Sequence, residues 1–226
     1  MPKERIQTRR TSVIVLQHPL ETRQKLATVP ILAKCLHPDS CEVIVGRRLR
    51  KGCSAQLDRL LGSPGSPALQ PVLLLFPTPD ATEISSWARI GDGAAGAERI
   101  VLLIVDATWQ HAKEMVSASM EFLRGFAIPV CLPFDKRKEG LGMGGNSDLI
   151  LKKEPYHGCM SSMEAVARAL GVLEGENGGE IERALLSVLH RMVSLQISHL
   201  PQCLSAGMMH VYGQDDLKSL VCFKKN

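Results

Sequence analysis

The chain has few aromatic residues and no long apolar run. Five Phe, two Tyr and two Trp make up 4% of its 226 residues. No uninterrupted apolar stretch approaches the ~18 residues that a membrane-spanning helix needs, so no membrane partner is expected. Its seven cysteines are odd in number and scattered, at Cys35, Cys41, Cys53, Cys131, Cys159, Cys203 and Cys222. No C-x-x-C or C-x-x-H pairing occurs among them, and no apolar signal segment precedes them. They read as small core hydrophobes in a reducing compartment, and the cytoplasm or nucleus is the expected location. The basic amino terminus, MPKERIQTRRTS, is too short and too soon followed by a strand to read as a targeting peptide. A strong charge bias is also missing, for the net charge is only +4.

What remains is an ordinary globular composition, 45% hydrophobic and 22% charged, with enough chain for one α/β domain and a real core. Its basic residues cluster: Lys3, Arg5, Arg9 and Arg10; then Arg47, Arg48, Arg50 and Lys51; then Lys136, Arg137 and Lys138; then Lys152 and Lys153. Grouped on one face, they would meet a polyanion; taken singly, each reads as solvated surface.

The most informative stretch is IVLLIVDATWQHAKEM, beginning at Ile100. Six apolar residues run to Val105 and stop at Asp106, the pattern of a strand buried on both faces of a parallel sheet. From Trp109 the spacing becomes helical, which places Asp106, Ala107 and Thr108 on a strand-to-helix turn. Such turns gather strand carboxyl ends and free helix N–H groups, and open α/β sheets bind ligands there. Helix capping by Asp106 or Thr108, with Trp109 in the core, explains the same residues without a ligand.

Four more strands are expected, at 12–17 (SVIVLQ), 42–46 (EVIVG), 72–76 (VLLLF) and 127–132 (AIPVCL), the last with Pro129 marking an edge or an irregularity. Helical content is expected at 21–27 and 31–36, with Thr28 as a cap and Pro30 in the first turn. Another short helix should open at Asp80-Ala81. Ser161-Ser162-Met163-Glu164 is a capping box opening a helix to Leu173, and Ile181, Ala184, Leu185, Val188, Leu189, Met192 and Val193 mark the apolar face of a long helix ending before Pro201. Strands alternating with helices predict an α/β fold, a mostly parallel sheet with helices on both faces. The segment 61–71 reads as a surface loop. GLGMGG at 140–145 reads as a loop and not a phosphate cradle, because no strand leads into it and no helix clearly follows. The main domain is expected over 1–200, with 201–226 as an extension.

Four blocks in order carry a resemblance: QHPLE at 17–21 with Thr28 following; FPTPDA at 76–81 after its strand; Asp106-x-Thr108-Trp109; and LKKEP at 151–155 with SSMEA at 161–165. Together they resemble the DTW-domain family, tRNA-uridine aminocarboxypropyltransferases. The resemblance implies a SPOUT-like fold with a trefoil knot, S-adenosylmethionine as donor and tRNA as partner. Family members commonly carry a cysteine cluster upstream of the QHP block, but here no cysteine precedes Cys35. No metal is therefore expected, and the chain reads as a shortened or divergent form. A monomer is expected.

The reaction implied moves the 3-amino-3-carboxypropyl group to N3 of a uridine. A sulfonium leaving group needs neither metal nor acid, so the protein must align the partners and remove the uracil imide proton. Asp106, with Thr108, is the catalytic candidate; Asp106 could instead bind the donor's amino group. Phe76, Pro77, Asp80, Asp106, Thr108, Trp109, Ser161, Ser162 and Glu164 are assigned to the donor pocket, although capping alone accounts for Ser161 and Glu164. Gln17, His18, Arg47, Arg48, Arg50, Lys152 and Lys153 are assigned to RNA, with His18 also open to a general-base or a structural role. Methyl transfer from the same donor, an rRNA acceptor, and a non-catalytic RNA-binding subunit remain the competing readings.

Overall fold

A computed structural model describes residues 1–2, 4–24, 27–60, 70–93, 99–133 and 160–198. Within them six strands, β1 (Thr11–Gln17), β2 (Cys41–Val45), β3 (Val72–Leu75), β4 (Thr82–Glu83), β5 (Ile100–Asp106) and β6 (Ala127–Cys131), form one sheet in the order β2-β1-β5-β3-β6-β4. Every pairing is parallel. The helices are α1 (Val29–Cys35), α2 (Ala55–Leu60), α3 (Ile84–Gly93), α4 (Trp109–Leu123), α5 (Ser162–Leu173) and α6 (Gly178–Ser198).

The sheet is covered on both faces, and the alternation along β5 shows how. Ile100, Leu102 and Ile104 join a core built with Val29 and Leu32 of α1, Met163, Val166 and Leu170 of α5, and Leu185 and Leu189 of α6. Val101 and Leu103 turn the other way, into a core with Leu57 of α2 and Met115, Val116 and Leu123 of α4. Adjacent strands share this parity, since residues opposite each other on parallel strands point to the same face. Each fully buried aliphatic side chain contributes about 1.5–3 kcal/mol, and this double burial explains the unbroken apolar runs.

Several expectations need correction. Among the described residues the sheet has six strands and not five; the additional one, Thr82–Glu83, exposed and only two residues long, carries no apolar signal. The helix expected at Asp80-Ala81 therefore starts at Ile84, after that strand. Helical content at 21–27 amounts to one 3-10 turn, Glu21–Arg23. Thr28 precedes α1 but makes no side-chain cap: its own backbone is already helical, and its carbonyl accepts from Ile31 and Leu32. The short α2 was not anticipated. Pro129 does lie at an effective edge, because β4 reaches β6 only at Val130 and Cys131. The stretches 61–69, 134–159 and 199–226 lie outside the described residues. With them go the GLGMGG stretch, the LKKEP block, Lys136–138, Lys152, Lys153, the carboxyl-terminal extension and the path on which a knot would depend.

Among the described residues no helix is long and apolar enough to cross a membrane.

Candidate active site at the strand carboxyl ends

Parallel strands deliver their carboxyl ends to one edge, and four of them carry the candidate site residues there. In sheet order, β2 ends in the Arg47–Arg50 turn, β1 in Gln17 and His18, β5 in Asp106 to Trp109, and β3 in Phe76 to Thr78.

Asp106 is the centre. Its register partner on β1 is Gln17, and both follow the parity of the face that α5 covers. Gln17 Nε2 donates to Asp106 Oδ2 at 2.9 Å. The hydroxyl of Ser162, the first residue of α5, donates to Oδ1. The amino end of α5, with its free N–H groups, also favours a carboxylate. Both oxygens are thus held, yet each keeps a lone pair for another donor. Asp106 is not the helix cap; Thr108 is, its Oγ1 accepting from the His111 N–H.

On the next flank, Phe76 and Trp109 stack with centroids 5.4 Å apart and planes inclined by 23°. Trp109 is half-buried, its outer reach crossed by Lys113 Nζ 5.6 Å from the ring centroid. It is therefore neither a core residue nor a free one. In the turn after Phe76, Pro77 and Asp80 are exposed, and no hydrogen bond or ion pair joins Asp80 to the cluster among the described residues. Thr78 between them has a buried Oγ1 with no hydrogen-bond partner among those residues. A buried hydroxyl left unpaired is costly unless a ligand completes it.

Ser161 and Glu164 serve the start of α5. Ser161 Oγ accepts from the Glu164 N–H at 3.2 Å, and the fully buried Glu164 carboxylate pairs with Arg168 at 2.8 Å, one turn on.

On the opposite flank, His18 is buried and its backbone N–H donates to the Asp106 carbonyl at 2.8 Å, extending the ladder past the strand end. Its ring lies on that of His111, 4.4 Å between centroids and 7° between planes. Burial first, then His111 and Arg47, push the His18 pKa below its usual 6.5, against the pull of Glu21 and Glu114. Arg47, Arg48 and Arg50 are exposed around a buried Leu49, whose N–H donates to Ser119 Oγ at 2.9 Å. That anchor holds the basic turn against α4. Lys152 and Lys153, assigned with these arginines to RNA, lie outside the described residues.

The strand ends thus bring together Gln17, His18, Asp106, Thr108, Trp109, Phe76 and Ser162. Sequence reasoning missed His111, Thr78 and Ser119; for His111 the signal was its position three residues after Thr108, on the face of α4 that the turn exposes. No group of three His, Cys, Asp or Glu among the described residues could hold a metal ion.

Comparisons with known proteins identify the family. Residues 1–197 match the model of the DTW domain. The Arabidopsis thaliana protein named tRNA-uridine aminocarboxypropyltransferase A is 39% identical over 213 residues, which is 88% of this chain and 76% of that protein. The Mus musculus tRNA-uridine aminocarboxypropyltransferase 2 is 31% identical over 84% of this chain and 56% of its own length. A Drosophila melanogaster protein with the same name is 30% identical, over 84% of this chain and 66% of its own length. The chain thus spans most of the plant relative but under two thirds of the animal ones. No solved structure matches it significantly. With the Asp106-x-Thr108-Trp109 motif at the strand end, beside Gln17 and Ser162 from two other motif blocks, and a family match across nearly all the described residues, the chain belongs to the DTW-domain family.

Proposed function

We propose that this protein is a tRNA-uridine aminocarboxypropyltransferase, moving the 3-amino-3-carboxypropyl group of S-adenosylmethionine to N3 of a tRNA uridine. The observation that carries the reading is the convergence of three separated motif blocks on the Asp106 carboxylate, through Gln17 and Ser162, in a chain 39% identical to the plant enzyme over most of both lengths.

The residues fit the donor. It is cationic at sulfur and at its amino group, and Asp106 offers a fixed anion with lone pairs to spare. The buried Thr78 hydroxyl, without a partner among the described residues, can complete its hydrogen bonding on the donor's polar groups. Phe76 and Trp109 present aromatic surface to the adenine and to the sulfonium charge. When bound, the donor supplies a carbon activated by a positive leaving group. Asp106, Ser162 and Gln17 orient it, and Arg47, Arg48 and Arg50 hold tRNA phosphates at the neighbouring strand ends.

Incubating unmodified tRNA with the protein and S-adenosylmethionine, then weighing the nucleosides, tests this directly. A uridine heavier by the aminocarboxypropyl mass is expected. A methyl gain instead, or tRNA bound but unchanged, would replace the proposal with a methyltransferase or an RNA-binding subunit.

A further inference from the structure

Resting on that reading, a question remains about which group takes the uridine imide proton. Ser162 and Gln17 hold the two Asp106 oxygens, and the lone pairs left on them are turned to the cationic donor in that reading. His18 is occupied too: its Nδ1 accepts the Leu20 N–H at 3.2 Å, so in the neutral ring the proton sits on Nε2, which makes that nitrogen a donor and not a base. His111 differs. Its Nδ1 lies 3.0 Å from Thr108 Oγ1, while no partner for its Nε2 is found among the described residues. Thr108 can accept from Nδ1–H, and that tautomer leaves the Nε2 lone pair open.

The stack also helps to hold His18 in its neutral form, since burial first and then His111 and Arg47 lower its pKa. Two imidazolium rings face to face 4.4 Å apart would repel strongly, and Arg47 adds a third positive charge beside them. Glu21 from the 3-10 turn and Glu114 from α4 moderate the effect, and His18 itself resists protonation through burial.

Position agrees with chemistry. Along the sheet edge the order is basic turn, His18, Asp106 with the start of α4, then Phe76. The phosphate-binding flank and the aromatic flank thus meet where His111 stands.

We propose that His111 is a catalytic residue, its Nε2 accepting the N3 proton of the target uridine, with Thr108 and His18 as positioning residues that fix its tautomer and its plane. The Nε2 lone pair forms the new N–H bond as the uracil N3–H bond breaks. The electron pair left on N3 bonds to the donor's terminal methylene carbon. That carbon's bond to sulfur breaks, its pair stays on sulfur, and the sulfonium leaves as a neutral thioether. The imidazolium then loses its proton to water.

The test compares wild-type protein with His111→Gln in nucleoside mass spectrometry, with tRNA and S-adenosylmethionine. The expected loss in kcat is about 100-fold or more, while KM for both substrates changes little. The residual rate should climb with pH, as uridine ionised in solution replaces the enzyme's base, and free imidazole should restore turnover to His111→Ala. A readout independent of turnover and of folding in a variant is 15N NMR of the ligand-free wild-type protein, where neutral His111 should carry its proton on Nδ1. A kcat within a few-fold of wild type with an unchanged pH profile, or a proton on Nε2 in neutral His111, overturns the assignment while leaving the enzyme reading intact. Wild-type protein that makes no aminocarboxypropyl uridine overturns both.

Discussion

Gln17 and Asp106 are 89 positions apart in the chain, yet they occupy matching positions on neighbouring parallel strands, so the amide reaches the carboxylate without strain. Asp106→Asn keeps the shape and removes the charge. It should weaken S-adenosylmethionine binding by about 10-fold or more, given the ~1.5–3 kcal/mol typical of a charge-assisted hydrogen bond, as read by calorimetric titration. His18 offers a second residue-scale expectation. Its folded pKa is lowered below 6.5, so the unfolded chain takes up the proton first as pH falls. The stability it contributes is complete above that value and is lost as pH drops through the window below it. Melting temperature should therefore fall from about pH 6.5 down to about 5.5 more steeply for wild type than for His18→Asn. Equal slopes would remove His18 from the account.

At the scale of elements, the turn after α5 secures the amino end of the sheet. Glu174, 3% exposed, accepts from the backbone N–H groups of Arg9 at 2.8 Å, Arg10 at 3.2 Å and Thr11 at 2.7 Å. Glu174→Gln removes the charge and one acceptor oxygen from this clasp, at an expected cost of about 2 kcal/mol in urea unfolding. Leu170→Ala, in the middle of α5 and fully buried between α6 and the sheet, should cost about 2–5 kcal/mol by the same measurement. Since α5 also carries Ser162, loosening it should reduce donor binding as well. The apolar strands at the centre of the sheet were legible because double burial demands unbroken aliphatic runs, and α5 because Ser161 and the apolar spacing announce it. β4 and α2 were not. Two exposed residues and a six-residue helix acquire their structure from neighbours rather than from their own pattern.

Across the whole molecule, the basic turn after β2 and Phe76 after β3 lie on opposite flanks of Asp106 because of strand order alone. If the arginines grip phosphates, tRNA affinity should fall steeply with salt. Replacing Arg47, Arg48 and Arg50 by Gln should flatten the log–log slope by about 2–3, at roughly 0.7–0.9 per lost contact. Filter binding across a salt series measures it, and a slope equal to that of wild type would place the RNA elsewhere.

The sequence by itself determined the elements that bury apolar surface, the parallel class of the sheet, and the residues of the Asp106 turn, for these depend on local pattern and on motif spacing. It assigned Gln17 to RNA and Ser161 and Ser162 together to the donor. Only the tertiary structure decided that Gln17 and Ser162 hold Asp106, that His111 lies on His18, and that the Thr78 hydroxyl is buried without a partner among the described residues. The contacts of Gln17, Ser162 and His18 join residues more than fifty positions apart. They follow from strand order and register, which periodicity along the chain does not encode.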